Sequence, residues 1–202
     1  EISFDQALIR SIFVFSIPLG LSSVVGTLNI EIDKLLIGWV MSTEDMAIYT
    51  NASKELPITI VASSITAILL PQLTRMIKAR EEIQAIQLWK VSVELSFILI
   101  SLIVSGVFTY ARDVMELLYS AKYLPGLSVF RVYTLVLLLR CTYFGIILNA
   151  KGKSRLIFAC SVVTLVFNVV FNPILYWAMG ITGPALATFL SIFIVNMGQL
   201  VM

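Results

Sequence analysis

Residues 12–30 form a run of 19 residues without a charged side chain, and no feature of the chain constrains its fold more. An uncharged apolar run of about 18 residues or longer reads as a membrane-spanning helix. Glu31, Asp33 and Lys34 follow at its far end, and a second apolar piece, residues 35–41, follows them at once. Ionisable groups at such depth are costly in lipid, so they are expected to face other helices or a water-filled cavity.

At 100° per residue, Ser16, Gly20, Ser23, Thr27, Glu31 and Lys34 fall on one stripe of this helix. Ser22, Gly26, Asn29 and Asp33 fall on a neighbouring stripe, and Leu21, Val24, Val25, Leu28, Ile32 and Leu35 lie opposite. A stripe of Ser, Thr and Gly alone is a helix-packing face, because small residues let backbones approach closely. The charges at its end favour a polar pathway instead.

Composition carries the same message over the whole length. Of 202 residues 59% are hydrophobic, and the mean hydropathy is +0.97. That is far too apolar for a soluble domain, so the expected class is all-α and polytopic. The first residue is Glu and no signal peptide precedes the first apolar run, which reads as a piece of a longer chain. The net charge of +2 says little, since position matters more than sum in membrane proteins. Absence of histidine removes His-ligated metal sites and the usual general base. Cys141 and Cys160 sit in apolar runs, where a reduced packing cysteine is expected. No basic run of the nucleic-acid-binding type is present.

Taken in order, residues 1–10 read as an amphipathic lead-in at the membrane surface. Six spans follow, at about 12–41, 47–75, 91–111, 127–149, 156–179 and 184–202. Pro18 lies inside the first, a place membrane helices tolerate when neighbours satisfy the freed carbonyl. Residues 42–46 read as an acidic turn, and 113–119 as a short interfacial helix. Residues 156–202 hold no charge at all, and Gly180, Gly183 and Pro184 divide them into two helices. Arg75, Lys78, Arg80 and Lys90 lie in the second connector, and Lys151, Lys153 and Arg155 in the fourth. The first and fifth connectors carry no Lys or Arg, and the third has Arg112 and Lys122. The positive-inside rule then puts both ends and the second and fourth connectors in the cytoplasm.

Two stretches resemble a known family. One is Asn168-Val-Val-Phe-Asn172-Pro-Ile-Leu, followed by Gly180-Ile-Thr-Gly183-Pro-Ala-Leu-Ala187-Thr188. It is similar to a recurring asparagine, glycine and Ala-Thr pattern of the polysaccharide flippases in the multidrug/oligosaccharidyl-lipid/polysaccharide exporter superfamily. The other starts at Ile32-Asp33 and runs through Ser42-Thr-Glu44, Tyr49, Ala52 and Leu56 to Pro71-Gln-Leu-Thr-Arg75. It resembles the start of the second six-helix lobe in those proteins. The resemblance implies a transporter of about twelve to fourteen helices in two six-helix lobes, with this chain the second. It implies lipid-diphosphate-linked oligosaccharide as substrate, moved from the cytoplasmic to the outer leaflet of the inner cell membrane by alternating access. Membrane lipids and a missing N-terminal lobe are the implied partners.

A diphosphate headgroup needs a wet, cationic cavity, for which arginine supplies a fork of donors and lysine a point charge. Lys34, Lys54 and Arg140 are the basic groups at or near membrane depth, and are the expected substrate-binding residues. Arg131 lies nearer the outer interface, within snorkelling reach of it. Glu31 and Asp33, with Glu55 and Glu94 further off, can pair with these cations or bind a coupling proton or sodium ion. Glu31 and Lys34 are three apart, the spacing of an ion pair on one helix face. Glu94 is one turn from Lys90, its expected partner, and Arg140 is expected to face Glu31, Asp33 or a cavity. Asn168, Asn172, Asn196 and Gln199 read as interhelical hydrogen-bonding groups.

No cofactor and no enzymatic activity are expected. A cation-coupled drug or metabolite exporter of the same superfamily would carry fewer basic groups in its cavity and a decisive acid. A membrane-embedded glycan polymerase or ligase would usually carry its catalytic residues in a long outer loop, and the longest here, residues 112–126, is short and lacks His.

Overall fold

The computed structural model describes residues 6–54, 56–141 and 144–201. Among them every regular element is a helix, and six helices are long and apolar enough to cross a membrane. The first, α1 (Gln6–Val40), has 35 residues, about 52 Å at 1.5 Å per residue. The expected surface lead-in is, from Gln6 onward, the start of this helix; residues 1–5 lie outside the described residues.

The second span is two helices rather than one. Ser42 has extended backbone angles and its side chain accepts from the Asp45 N–H at 3.2 Å, with Glu44 and Asp45 in the first turn. That cap and those acids suit a helix N-terminus, so the expected acidic turn at 42–46 is instead the start of α2 (Thr43–Ala52). Pro57 has no N–H and disfavours helix in the residue before it, which separates α2 from α3 (Thr59–Lys78). The expected charged surface helix is continuous with the third span, as α4 (Glu82–Thr109). Then come α5 (Ala111–Tyr119) and a 3-10 turn over Ala121–Gly126.

The fourth span is also broken. α6 (Leu127–Leu139) stops at Arg140, its C-cap, and helix resumes after Gly145 as α7 (Ile146–Ala150). A helix end inside the bilayer leaves carbonyls that need partners. Asn196 answers one of them, donating from Nδ2 to the Leu139 carbonyl at 2.7 Å. Arg140 therefore sits at a helix end, not within a continuous helix.

α8 (Ser154–Met179) and α9 (Thr182–Val201) make a tight hairpin. Gly180 turns it with φ +62°, a conformation that favours glycine. A Cβ on Gly183 would overlap the backbone of Leu175 and Tyr176. Gly183→Ala is therefore expected to force the two helices apart. Membrane accumulation below one-third of wild type, read by immunoblot, is the expected result; wild-type accumulation and thermal midpoint would contradict it.

α1 packs on α8, α8 on α9, α9 on α6, α6 on α4, α4 on α3, and α3 on α7. The main core lies toward the Ser42 side, around Tyr49, Met115, Phe130 and Leu137. A second core of Leu69, Leu73, Ala85 and Ile146 lies toward the Lys151 side. The outward surface is apolar, with Leu102, Trp39 and Trp177 among its exposed side chains, as the lipid-facing surface of a membrane protein requires. Lys151 bridges to Glu82 at 3.0 Å, tying the α7–α8 turn to the start of α4.

Candidate functional site

The neighbouring stripe of α1 is the one that turns inward. Ser22, Asp33 and Ile37 are buried, and Gly26 and Asn29 half-buried. Ser16, Gly20, Ser23, Thr27 and Glu31 are exposed on this lobe. A small, polar, exposed stripe on a spanning helix is unsuited to hydrocarbon, and fits a water-filled space or another protein surface.

Asp33 has no exposed surface. Its Oδ2 accepts from the hydroxyls of Tyr49 on α2 (2.7 Å) and Tyr133 on α6 (2.5 Å), and its Oδ1 from the Lys34 N–H (2.8 Å). One carboxylate thus ties three helices together. Sequence reading missed both tyrosines, which lie 16 and 100 residues away; a tyrosine in an apolar run needs a partner for its hydroxyl, and that was the only signal. Glu31 holds Lys34, Nζ to Oε1 3.1 Å, at the expected spacing. The expectation that Glu31 or Asp33 would face Arg140 is thus corrected: one acid holds Lys34 and the other two tyrosines. Glu94 and its expected partner Lys90 are both exposed, and no ion pair joins them among the described residues. Glu55 lies outside the described residues.

Lys34, Lys54 and Arg140 line one cavity of about 980 Å³. They arrive from different elements: Lys34 from α1, Lys54 from just past α2, and Arg140 from the broken end of α6. The breaks in the second and fourth spans are what deliver the last two, since irregular backbone at membrane depth is tolerated where it lines a cavity. Lys54 Nζ donates to Asn51 Oδ1 at 3.3 Å. Arg131 is not in this group; it is exposed, with its guanidinium 5.7 Å from the Phe108 ring centre. The rest of the wall is uncharged, including Asn29, Thr66, Tyr133, Asn168 and Gln199. No acid lines the cavity among the described residues. Chemically, this is a roomy, cation-bearing space with neutral hydrogen-bonding walls. It suits a large polar anion better than a cation.

Asn29 and Asn168 join α1 to α8: Asn168 Nδ2 donates to Asn29 Oδ1 at 3.2 Å, and Asn29 Nδ2 to the Ser161 carbonyl at 3.2 Å. This is the interhelical role expected for Asn168, and Asn196 plays it as well.

A sequence profile of polysaccharide biosynthesis proteins matches residues 1–128. The chain is similar to the probable low-salt glycan biosynthesis flippase Agl15 of Haloferax volcanii, 25% identical over 197 residues, 96% of this chain and 41% of that protein. It is similar to the capsular polysaccharide biosynthesis protein CapF of Staphylococcus aureus, 24% identical over 189 residues, 92% of this chain and 48% of that protein. The chain thus spans less than half the length of these relatives. Its fold matches that of a MOP superfamily transporter from Pyrococcus furiosus Vc1, with a TM-score of 0.76 at 20% identity, over 94% of this chain and 43% of the other.

Proposed function

We propose, from the premise that the chain belongs to the polysaccharide biosynthesis protein family, that it is the second lobe of a lipid-linked oligosaccharide flippase. The whole transporter carries a lipid-diphosphate-linked oligosaccharide from the cytoplasmic to the outer leaflet by alternating access. Its missing N-terminal lobe closes the other side of the headgroup path, and both ends of this piece are cytoplasmic. The observation that carries the reading is the convergence of Lys34, Lys54 and Arg140 on a cavity with no described acid in its wall. Basic groups from three elements, one of them Lys34 with Glu31 beside it, suit an anionic diphosphate, and the neutral amides and hydroxyls match sugar hydroxyls. The exposed polar stripe of α1 supports the same reading, because it fits the wet gap between two lobes. Similarity to two proteins named for glycan or capsule biosynthesis supports the substrate class. Asp33 and Glu31 are the acids available to a coupling ion.

The test uses the full-length transporter in proteoliposomes, with a fluorescent lipid-diphosphate oligosaccharide and a cationic dye as rival cargo. Translocation of the glycolipid, and a fall of at least tenfold in Lys34→Gln/Lys54→Gln, are the expected results. Transport of the dye alone would replace this reading by that of a cation-coupled exporter.

A further inference from the structure

Two turns at the Lys151 end of the lobe gather six of the chain's 14 basic residues against two acids, Glu81 and Glu82. Arg75, Lys78 and Arg80 close α3, and Lys151, Lys153 and Arg155 span the turn from α7 into α8. Packing of α7 on α3 and the Lys151–Glu82 bridge hold the turns side by side. Glu82 answers Lys151. Arg75, Lys78, Arg80, Lys153 and Arg155 are all exposed and make no ion pair among the described residues.

The backbone of the two turns is the same. After α3, the Arg80 N–H donates to the Ile77 carbonyl at 3.1 Å and the Glu81 N–H to that of Met76 at 2.9 Å. After α7, the Gly152 N–H donates to Asn149 at 2.9 Å and the Lys153 N–H to Leu148 at 2.8 Å. This helix ending puts one residue in the left-handed region and favours glycine there. Gly152 obeys, with φ +72°; the other turn holds Arg80 there, at φ +63°. An L side chain in that conformation is strained, so Arg80 keeps a charge where the fold alone asks for glycine.

Depth points to what meets these charges. α4 has 28 residues, about 42 Å at 1.5 Å per residue, against a hydrocarbon core of about 30 Å. Its ends therefore reach the headgroup zones. Its first turns, directly after Glu82, already expose Ile83 (76%) and Ile86 (45%), which suit acyl chains and not water.

We propose that the two turns bind the headgroup of an anionic membrane phospholipid. Arg80 and Lys153, each two residues from a member of the Lys151–Glu82 bridge, hold its phosphate, and Ile83 and Ile86 lie against its chains. Arginine meets phosphate with a fork of donors and lysine with a point charge. A basic surface of this kind at headgroup depth selects anionic over zwitterionic lipid. None of these residues lines the large cavity, so the inference stands apart from the flippase reading. Assignment to the cytoplasmic leaflet follows the loop charges; binding itself does not depend on it.

The experiment titrates the full-length transporter in detergent with phosphatidylglycerol and, separately, with phosphatidylcholine, reading bound lipid by native mass spectrometry. Wild type should prefer phosphatidylglycerol at least tenfold, and the preference should collapse at about 1 M salt, where charges are screened beyond about 3 Å. Arg80→Gly/Lys153→Gln should cut the preference at least fivefold. Arg80→Gly alone should leave the lipid-free thermal midpoint unchanged or raised, because it relieves the turn, and this separates a binding role from a structural one. Lys122→Gln, a charge lost at the opposite end, should keep the wild-type preference. Equal binding of the two lipids by wild type, or an undiminished preference in Arg80→Gly/Lys153→Gln, would overturn the site. So would a lipid-diphosphate oligosaccharide that loses affinity in this variant while the phosphatidylglycerol preference stays, since the turns would then receive substrate rather than phospholipid.

Discussion

Asp33→Ala is expected to lower the stability of the lobe by about 2–4 kcal/mol, because it leaves two buried tyrosine hydroxyls without their acceptor. Tyr49 has no exposed surface and Tyr133 is 7% exposed, so water cannot readily replace the carboxylate. The lower end of the range reflects the membrane reference state, in which displaced polar groups find other partners. Asp33→Asn keeps one carbonyl acceptor and should cost less stability, yet it removes the charge. Export should therefore fall further than folding does. Thermal unfolding and membrane accumulation of the full-length variants, measured alongside surface glycan, separate the two effects. A second check comes from Tyr49→Phe/Tyr133→Phe, in which the cost of Asp33→Ala should shrink by more than half. An unchanged midpoint for Asp33→Ala in the wild-type background would mean that the carboxylate does not hold α1 to α2 and α6.

Long uncharged runs made the number of spans legible, because the bilayer sets both their length and their composition. Breaks inside spans were harder to read. Pro57 was visible within the second span, but the Ser42 cap that starts α2 uses the same residue types as an ordinary turn. The end of α6 at Arg140 had almost no local mark, since it is held by Asn196 from a helix 57 residues away. The two polar stripes of α1 showed the same limit. Both consist of small polar residues, and only the packing of α8 decides that Asn29 and Asp33 turn inward while Thr27 and Glu31 stay exposed. Charge type and depth identified Lys34, Lys54 and Arg140 as candidates; their sharing of one cavity depends on the two breaks. Asp33 stood out as an intramembrane acid, whereas nothing local marked Tyr49 and Tyr133 as its partners. Tertiary packing, not local pattern, gives those two their place.

Arg140→Ala is expected to abolish export while the protein still inserts. Arg140 is half-buried at the end of α6, lines the cavity, and lies beside the Asn196–Leu139 contact that closes the helix. Placed in lipid, its guanidinium would cost at least ~2.5 kcal/mol; against a wet cavity it avoids that cost and can meet an anion with its fork of donors. Its backbone N–H bonds to Val136 and Leu137 survive any side-chain change, so α6 should keep its end. Arg140→Lys retains the charge and loses the bidentate geometry. Partial export, at roughly one-tenth to one-half of wild type, is the expected result for it. Arg140→Gln keeps hydrogen-bonding capacity without charge and should export no better than Arg140→Ala. This order, Arg above Lys above Gln and Ala, follows charge first and geometry second, as binding to a diphosphate requires. A quantitative surface-glycan assay in cells with equal membrane accumulation reads it directly. Wild-type export from Arg140→Ala would take this residue out of the substrate path, and equal loss in Lys, Gln and Ala variants with falling accumulation would make it a residue of the fold alone.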